Sequence, residues 1–357
     1  MASAINNGTF TFNTEELKDW SKVVHELTFN NPELNSLHDI ETGIKYDTQI
    51  VFAGRGGLLG KKVTGCTPNA ITGVSLSEKK WSPVQEDFRL EHCSADVDTQ
   101  DKLVNQMAKM NPDFYNVIEG SQSTIGDFLV ASILERFNEN LLRKVWFNDL
   151  TAENIVDGGN ITNGVDVGYF NTFNGFFPQI FTEIPTSAKN YVAISQNAGA
   201  SYALQTLPAG ASIAILKSMY GKADSRLLND ATKKFYVTRT IYDGYLNDLE
   251  TLQNTGAGNT MINENGQLTL RYRGIEVVNM EIWDRTIDSY YDNGTKFDKP
   301  HRAVLSTPAN LKVGTLSTDD WGTLKAFYAE YQNLNVIDGV YTIDAKFMES
   351  YLAVAAY

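Results

Sequence analysis

Apolar positions along this chain change period twice before its middle. Leu17, Trp20, Val23, Val24 and Leu27 recur at helical spacing behind Thr14, an N-cap followed by Glu15 and Glu16, which predicts a short helix near the N-terminus. From Ile44 the period becomes two. Ile44, Tyr46, Thr48, Ile50 and Phe52 share one face, with Lys45, Asp47 and Gln49 among those on the other, and a strand is predicted. A glycine-rich connection follows, Gly54-Arg55-Gly56-Gly57-Leu58-Leu59-Gly60-Lys61-Lys62, before strand-like stretches resume from Ile71 to Trp81 and from Val84 to His92. Residues 44–95 thus read as an extended, loop-tipped sheet arm, poor in large buried residues that would anchor it to its own core.

The strongest pattern comes next. Ile125, Leu129, Ile133, Phe137, Leu141 and Val145 stack four apart, and Phe128, Leu142 and Trp146 broaden the stripe. Ser123 and Thr124 offer N-caps, Asp127 sits in the first turn, and Arg143 and Lys144 sit in the last, so charge complements the macrodipole at both ends. A helix of about six turns is predicted over 124–147.

Beyond it short helices and strands alternate, with helix-like stretches from Ser212 to Asn229 and from Ile241 to Leu252. Two dipeptides favour the positive φ angles of a two-residue hairpin turn: Asn265-Gly266, before Leu268 and Leu270, and Asp338-Gly339, between Val336-Ile337 and Val340-Tyr341. No internal repeat, low-complexity tract or proline-rich linker marks a boundary, so domains are expected to be divided by chain crossings. The predicted fold class is α+β.

Composition narrows the function. A chain of 357 residues, 42% hydrophobic and 20% charged, can bury a sizeable core as one elaborate domain or two. Cys66 and Cys93 are too few to staple a secreted scaffold and are expected as free thiols in a reducing compartment. No apolar run reaches the roughly eighteen residues of a membrane helix, and the opening residues lack a signal-peptide pattern, so a soluble protein made in a cytoplasm is expected. Asp and Glu number 43 against 30 Lys and Arg, a formal charge of -13. Such a protein repels nucleic acid and anionic membrane, and if it meets DNA it contains it without gripping it. Basic residues cluster locally at Lys61, Lys62, Lys79 and Lys80 and again at Lys233, Lys234 and Arg239. A basic arm lying across an acidic neighbour of the same kind fits the net charge better than a nucleic-acid patch.

The same residues complete no catalytic or metal-binding motif. The 54–62 stretch fails as a phosphate loop, because Lys62 stands where Ser or Thr should hold magnesium, and Leu59 replaces the third glycine of a dinucleotide loop. His25, His38, His92 and His301 are scattered and build no metalloprotease or hydrolase motif. His92 beside Cys93 could contribute to a zinc site, but neighbours on a strand point to opposite faces and no further ligands are evident. Glu281, Asp284, Asp288 and Asp292 would align like charges on a helix, so a solvated loop is the expected setting, with a calcium site as the alternative. No catalytic residue, cofactor or metal is assigned.

The order of these features resembles the major capsid proteins of tailed phages, with the Hong Kong 97 fold, in particular those of phages infecting Bacteroidetes. The helix exit Lys144-Val145-Trp146-Phe147-Asn148-Asp149 is similar to the family's, as are Lys234 to Asp243, the stretch Leu270-Arg271-Tyr272-Arg273-Gly274-Ile275-Glu276-Val277-Val278, the strand His301 to Ser306 and the closing Val340 to Ala356. The resemblance implies an N-terminal arm (1–43), an extended loop (44–95), a peripheral domain (96–185 and 306–357) holding a spine helix, and an axial domain (186–305). It implies a non-catalytic homo-oligomer of hexamers and pentamers in a virion, assembled in the host cytoplasm around DNA with portal, scaffolding and decoration proteins as partners. Arg55, Leu58, Leu59, Lys61 and Lys62, at the loop tip, become the expected inter-subunit contacts. Some relatives cross-link a loop lysine to an asparagine, for which no acceptor is matched here.

Two rival readings remain. An encapsulin compartment uses the same fold around protein cargo. A carbohydrate-binding module or glycosidase is suggested by 17 Tyr, 18 Phe and 5 Trp, although most of these occupy periodic positions that core packing explains.

Overall fold

A computed structural model describes residues 36–53, 76–93, 125–154, 159–254, 270–316, 325–329, 331–332 and 334–357. The chain enters through β1 (Asp39–Thr42), β2 (Gln49–Ala53), β3 (Leu76–Lys80) and β4 (Val84–Cys93), then the long α1 (Ile125–Phe147) and α2 (Phe176–Glu183). Next come β5 (Tyr191–Val192), α3 (Ala211–Lys222), α4 (Ser225–Asn229), β6 (Lys234–Val237) and α5 (Arg239–Asn254). After β7 (Arg271–Tyr272), β8 (Ile275–Asn279) and α6 (Glu281–Tyr290), the chain closes with β9 (Ala303–Ser306), β10 (Leu311–Thr315), β11 (Lys325–Ala329), β12 (Leu334–Phe347) and β13 (Ala353–Ala356). The class is α+β, as the pattern predicted. The expected helix after Thr14 and the Asn265-Gly266 turn lie outside the described residues.

Three sheets organise the strands. In the first, β12 is the hub: β10 and β11 pair with its two ends along one edge, β4 pairs with the other, and β1 adds in parallel to β10. The second runs β5-β13-β9-β6-β8-β7, and the third is the lone β2-β3 pair. Strands β1, from the expected arm, and β4, from the expected loop, are thus hydrogen-bonded into the first sheet, whereas β13 belongs to the second.

The six-stranded sheet is buried on both faces. Tyr236, Val304, Ala353 and Ala355 join the core beneath α1, while Phe235, Val237, Leu305 and Val354 join a second core with α3 and α5. Strands covered on both sides lose the apolar-polar alternation that marks a half-exposed strand, so β9 and β13 are buried throughout. In the C-terminal half of α1, Phe137, Leu141, Leu142, Val145 and Trp146 are all buried, as the stripe requires. Trp146 sits in an aromatic cluster, 4.6 Å from the Trp283 ring and 5.0 Å from Phe176. Arg302 is buried against the same cluster, 4.5 Å over Phe177, and donates to the Lys299 and Asp298 carbonyls.

Five local expectations are corrected. The strand predicted from Ile44 begins only at Gln49, because Lys45 to Thr48 form a turn with Asp47 at φ 65. Ile44 and Tyr46 therefore part company, at 1% and 79% exposure, although period two put them on one face. Asp338-Gly339 is not a turn, since β12 runs straight through it, with Asp338 opposite Arg89 and Gly339 opposite Phe88. The stretch from Leu270 to Val278, which the resemblance implies is one strand, is a hairpin turning on Arg273 (φ 50) and Gly274 (φ 81). The helix expected from Ser212 to Asn229 is broken, and Asp224 caps the second piece by accepting from Arg226 N. The acidic series lies on α6 and just beyond it, not in a loop.

Candidate assembly surfaces

Arg55, Leu58, Leu59, Lys61 and Lys62 lie outside the described residues, but the root of their arm is built in detail. A two-stranded hairpin alone is marginal in water, so its contacts with the body set its position. Ile44 and Trp81 are both buried against Gly314, where a Cβ would lie 2.6 Å from Ile44 and 2.8 Å from Trp81. The root therefore has the anchoring residues that its sequence reading found lacking. Ile44 N donates to Thr315 O at 3.1 Å, and Trp81 N to Thr48 O at 3.0 Å. Lys79 donates to the Glu183 carboxylate on α2 and to the Phe347 carbonyl, and Lys80 pairs with Asp47 at 3.0 Å. Ser82 N donates to Asp344 Oδ2 at 2.7 Å, and Lys346 lies 3.1 Å from the same carboxylate, whose pKa burial raises.

Behind this root, β4 is tied to α1. Lys144 Nζ donates to Glu86 Oε2 at 2.6 Å, Thr172 donates to Glu86 Oε1 at 2.6 Å, and the Tyr341 hydroxyl donates to the same carboxylate. Lys144 is the last-turn cation of α1 that the sequence predicted, and the structure adds that it is buried and paired with the equally buried Glu86. A signal was available: Lys144 lies seven residues after Phe137, on the apolar stripe. A cleft of about 510 Å³ opens beside this network, between β4, α1 and the turn at Asp166 to Thr172.

The N-terminal side of β1 is held by His38. Trp146 Nε1 donates to His38 Nε2 at 3.2 Å, and the imidazole stacks on Phe176 and Tyr236. Burial lowers its pKa to about 3, so the ring is neutral. Tyr236 OH donates to the Leu37 carbonyl at 2.9 Å, fixing the same segment to the second sheet.

A second cleft, about 540 Å³, lies between the start of α3 and α5. Its polar groups largely engage one another: His301 Nδ1 is 2.8 Å from Thr240 Oγ1, and Asp248 accepts from Gly210 N at 2.7 Å. The acidic series is likewise divided. Asp284 accepts from Arg239 N at 2.7 Å at the head of α5, and burial raises its pKa to about 6. Asp292 accepts from Gly294 N and from the Tyr202 hydroxyl, while Glu281 and Asp288 are exposed. No group of three His, Cys, Asp or Glu among the described residues is placed to hold a metal, and none of their helices is long and apolar enough to cross a membrane. In the second basic cluster Lys234 pairs with Glu276 at 3.4 Å and Arg239 with Asp243 at 3.2 Å, while Lys233 donates to the Asp230 carbonyl.

No family model and no curated protein matches the chain. Among solved structures, the capsid of cyanophage P-SCSP1u matches with a TM-score of 0.51 at 12% identity, covering 90% of this chain and 86% of that one. The procapsid of satellite phage P4 with its size determination protein matches at 0.49 and 9% identity, over 94% and 98% of the two chains. An encapsulin complex from Synechococcus elongatus matches at 0.46 and 8% identity, over 91% and 86%. Of these, the cyanophage match carries weight, and it bears on fold. The chain has the α+β fold of a tailed-phage capsid subunit, the Hong Kong 97 type that its sequence resembles.

Proposed function

We propose that this protein is the major capsid protein of a tailed bacteriophage, self-assembling as hexamers and pentamers into an icosahedral shell around double-stranded DNA. The observation that carries this is the lone β2-β3 hairpin: within a capsid-subunit fold it is clamped at its root yet joins neither larger sheet among the described residues. Such an element exposes two strand edges that a neighbouring copy can cover. Residues 44–95 act as the extended loop, with Arg55, Leu58, Leu59, Lys61 and Lys62 touching the neighbour. Residues 96–185 and 306–357 form the peripheral domain, 186–305 the axial domain and 1–43 the arm. The role is structural, not catalytic. The charge of -13 suits a wall that confines DNA with counterions, without sequence-specific contacts. Portal, scaffolding and decoration proteins complete the virion, which assembles in the host cytoplasm.

Negative-stain electron microscopy and sedimentation velocity on the purified protein test this reading. Shells, capsomers or rings are expected. A protein that stays monomeric at high concentration, with and without the phage's scaffolding protein, rejects it. Shells that recover protein cargo and no DNA from the host would mark a compartment instead.

A further inference from the structure

Strand β4 pairs with β12 from Val84 opposite Ile343 to Cys93 opposite Leu334, and along its other edge it has no backbone partner among the described residues. In an antiparallel ladder about half of a strand's N–H and C=O groups point away from its partner. No proline interrupts Val84–Cys93, so this edge is a continuous template for another strand. The 510 Å³ cleft follows it. That cleft touches Gln85, Glu86, Asp87 and Phe88 in succession, residues whose side chains alternate between faces, so it opens on the rim of the strand, with α1 as its far wall.

The exposed side chains of β4 specify a partner. Gln85, Asp87, Arg89 and Glu91 point outward and are exposed, whereas Glu86 is buried and Val84, Phe88 and Leu90 are half-buried on the inner face. Side chains opposite one another across an antiparallel pair share a face. We propose that β4 pairs antiparallel with β4 of a second copy about a two-fold axis, with Phe88 opposite Phe88. In this register each Asp87 faces an Arg89 of the other copy, and each Gln85 faces a Glu91. Centring on Arg89 would oppose Arg89 to itself and Asp87 to Glu91, and centring on Asp87 would oppose two aspartates. Odd shifts would set the charged face of one strand against the inner face of the other. Centring on Leu90 keeps an Arg89 to Glu91 match but shortens the ladder. The contact is isologous, as a two-fold demands, and joins two five-stranded sheets into one. It adds a local two-fold contact to the shell reading but does not depend on it.

Charge reversal and cross-linking test the pairing on the full chain. Asp87→Lys or Arg89→Glu alone should weaken self-association roughly tenfold at low salt, and the double reversal should restore it. Asp87 is exposed, so thermal unfolding of Asp87→Lys should stay at the wild-type value and serve as the folding control, whereas Arg89→Glu also breaks ion pairs to Glu91 at 2.8 Å and Asp338 at 3.8 Å and should unfold somewhat earlier. In a Cys66→Ser/Cys93→Ser background, Asp87→Cys mixed with Arg89→Cys should form a disulfide dimer under mild oxidation. Neither should do so alone, because like residues would sit about 7–8 Å apart on the diagonal. Single reversals that associate like wild type, or a mixture that cross-links no better than its components, overturn the pairing. Shells without the mixed disulfide would remove the pairing and leave the shell reading intact, whereas the mixed disulfide in a protein that forms only dimers would do the opposite.

Discussion

Gly339 lies against the ring of its cross-strand neighbour Phe88, so closely that a Cβ at position 339 would be 2.3 Å from the ring's Cζ. Glycine is needed here for its missing side chain, not for a turn. Gly339→Ala should cost about 1–3 kcal/mol by overpacking. In a denaturant double-mutant cycle, Phe88→Leu should recover part of that loss. Additive effects would mean that the two positions do not contend for the same space.

Breaking the buried pair of Lys144 and Glu86 should be more costly than replacing it. Lys144→Met leaves the Glu86 carboxylate buried without its cation and should lower stability by about 3–5 kcal/mol, whereas Lys144→Met with Glu86→Leu should recover much of this. Chemical denaturation of both variants and wild type measures the difference.

Phe137 and Leu141 test the packing of α1. Each is buried against the first core, so Leu141→Ala should cost about 2–5 kcal/mol and Phe137→Ala about 3–5 kcal/mol. A wild-type denaturation midpoint for both would mean that this face of α1 is not packed.

His38 makes stability depend on pH. The folded ring binds a proton only near pH 3, whereas the unfolded one does so near 6.5. Between these values the unfolded state holds more protons, so stability is complete above about pH 6.5 and falls on acidification, by at most about 1.4 kcal/mol per pH unit. Asp284 works in the opposite sense: its folded pKa is raised from 3.8 to about 6, so acidification through that window favours the fold. His38→Phe should flatten the acid side of the profile in denaturant melts taken from about pH 7 to pH 4. An unchanged slope would show that His38 titrates normally.

Replacing Gly54 to Lys62 with a short Gly-Ser turn should leave thermal unfolding near wild type, because Ile44, Trp81 and Gly314 hold the root. Shells should be lost. Intact shells by electron microscopy would remove the tip from assembly.

Sequence by itself determined the elements that have one wet face. The stripe of α1, buried in its C-terminal half, and the existence of a strand from Val84 could both be read from spacing alone. Tertiary structure decided what depends on contact between distant residues. Gly339 follows Asp338 in a dipeptide that usually turns, but the ten-residue pairing with β4 and the ring of Phe88 keep it extended. Ile44 and Tyr46 alternate correctly for a strand, yet the hydrogen bonds to Thr315 and Trp81 bend the chain between them. Lys144 carried an ambiguous signal, a cation both near a helix end and on an apolar stripe, and only Glu86, 58 residues earlier in the chain, resolves it. Local spacing reports the periodic contrast between core and solvent. It cannot report which remote group will neutralise a charge, fill a missing side chain or bend a strand, because those free energies arise only when the segments meet.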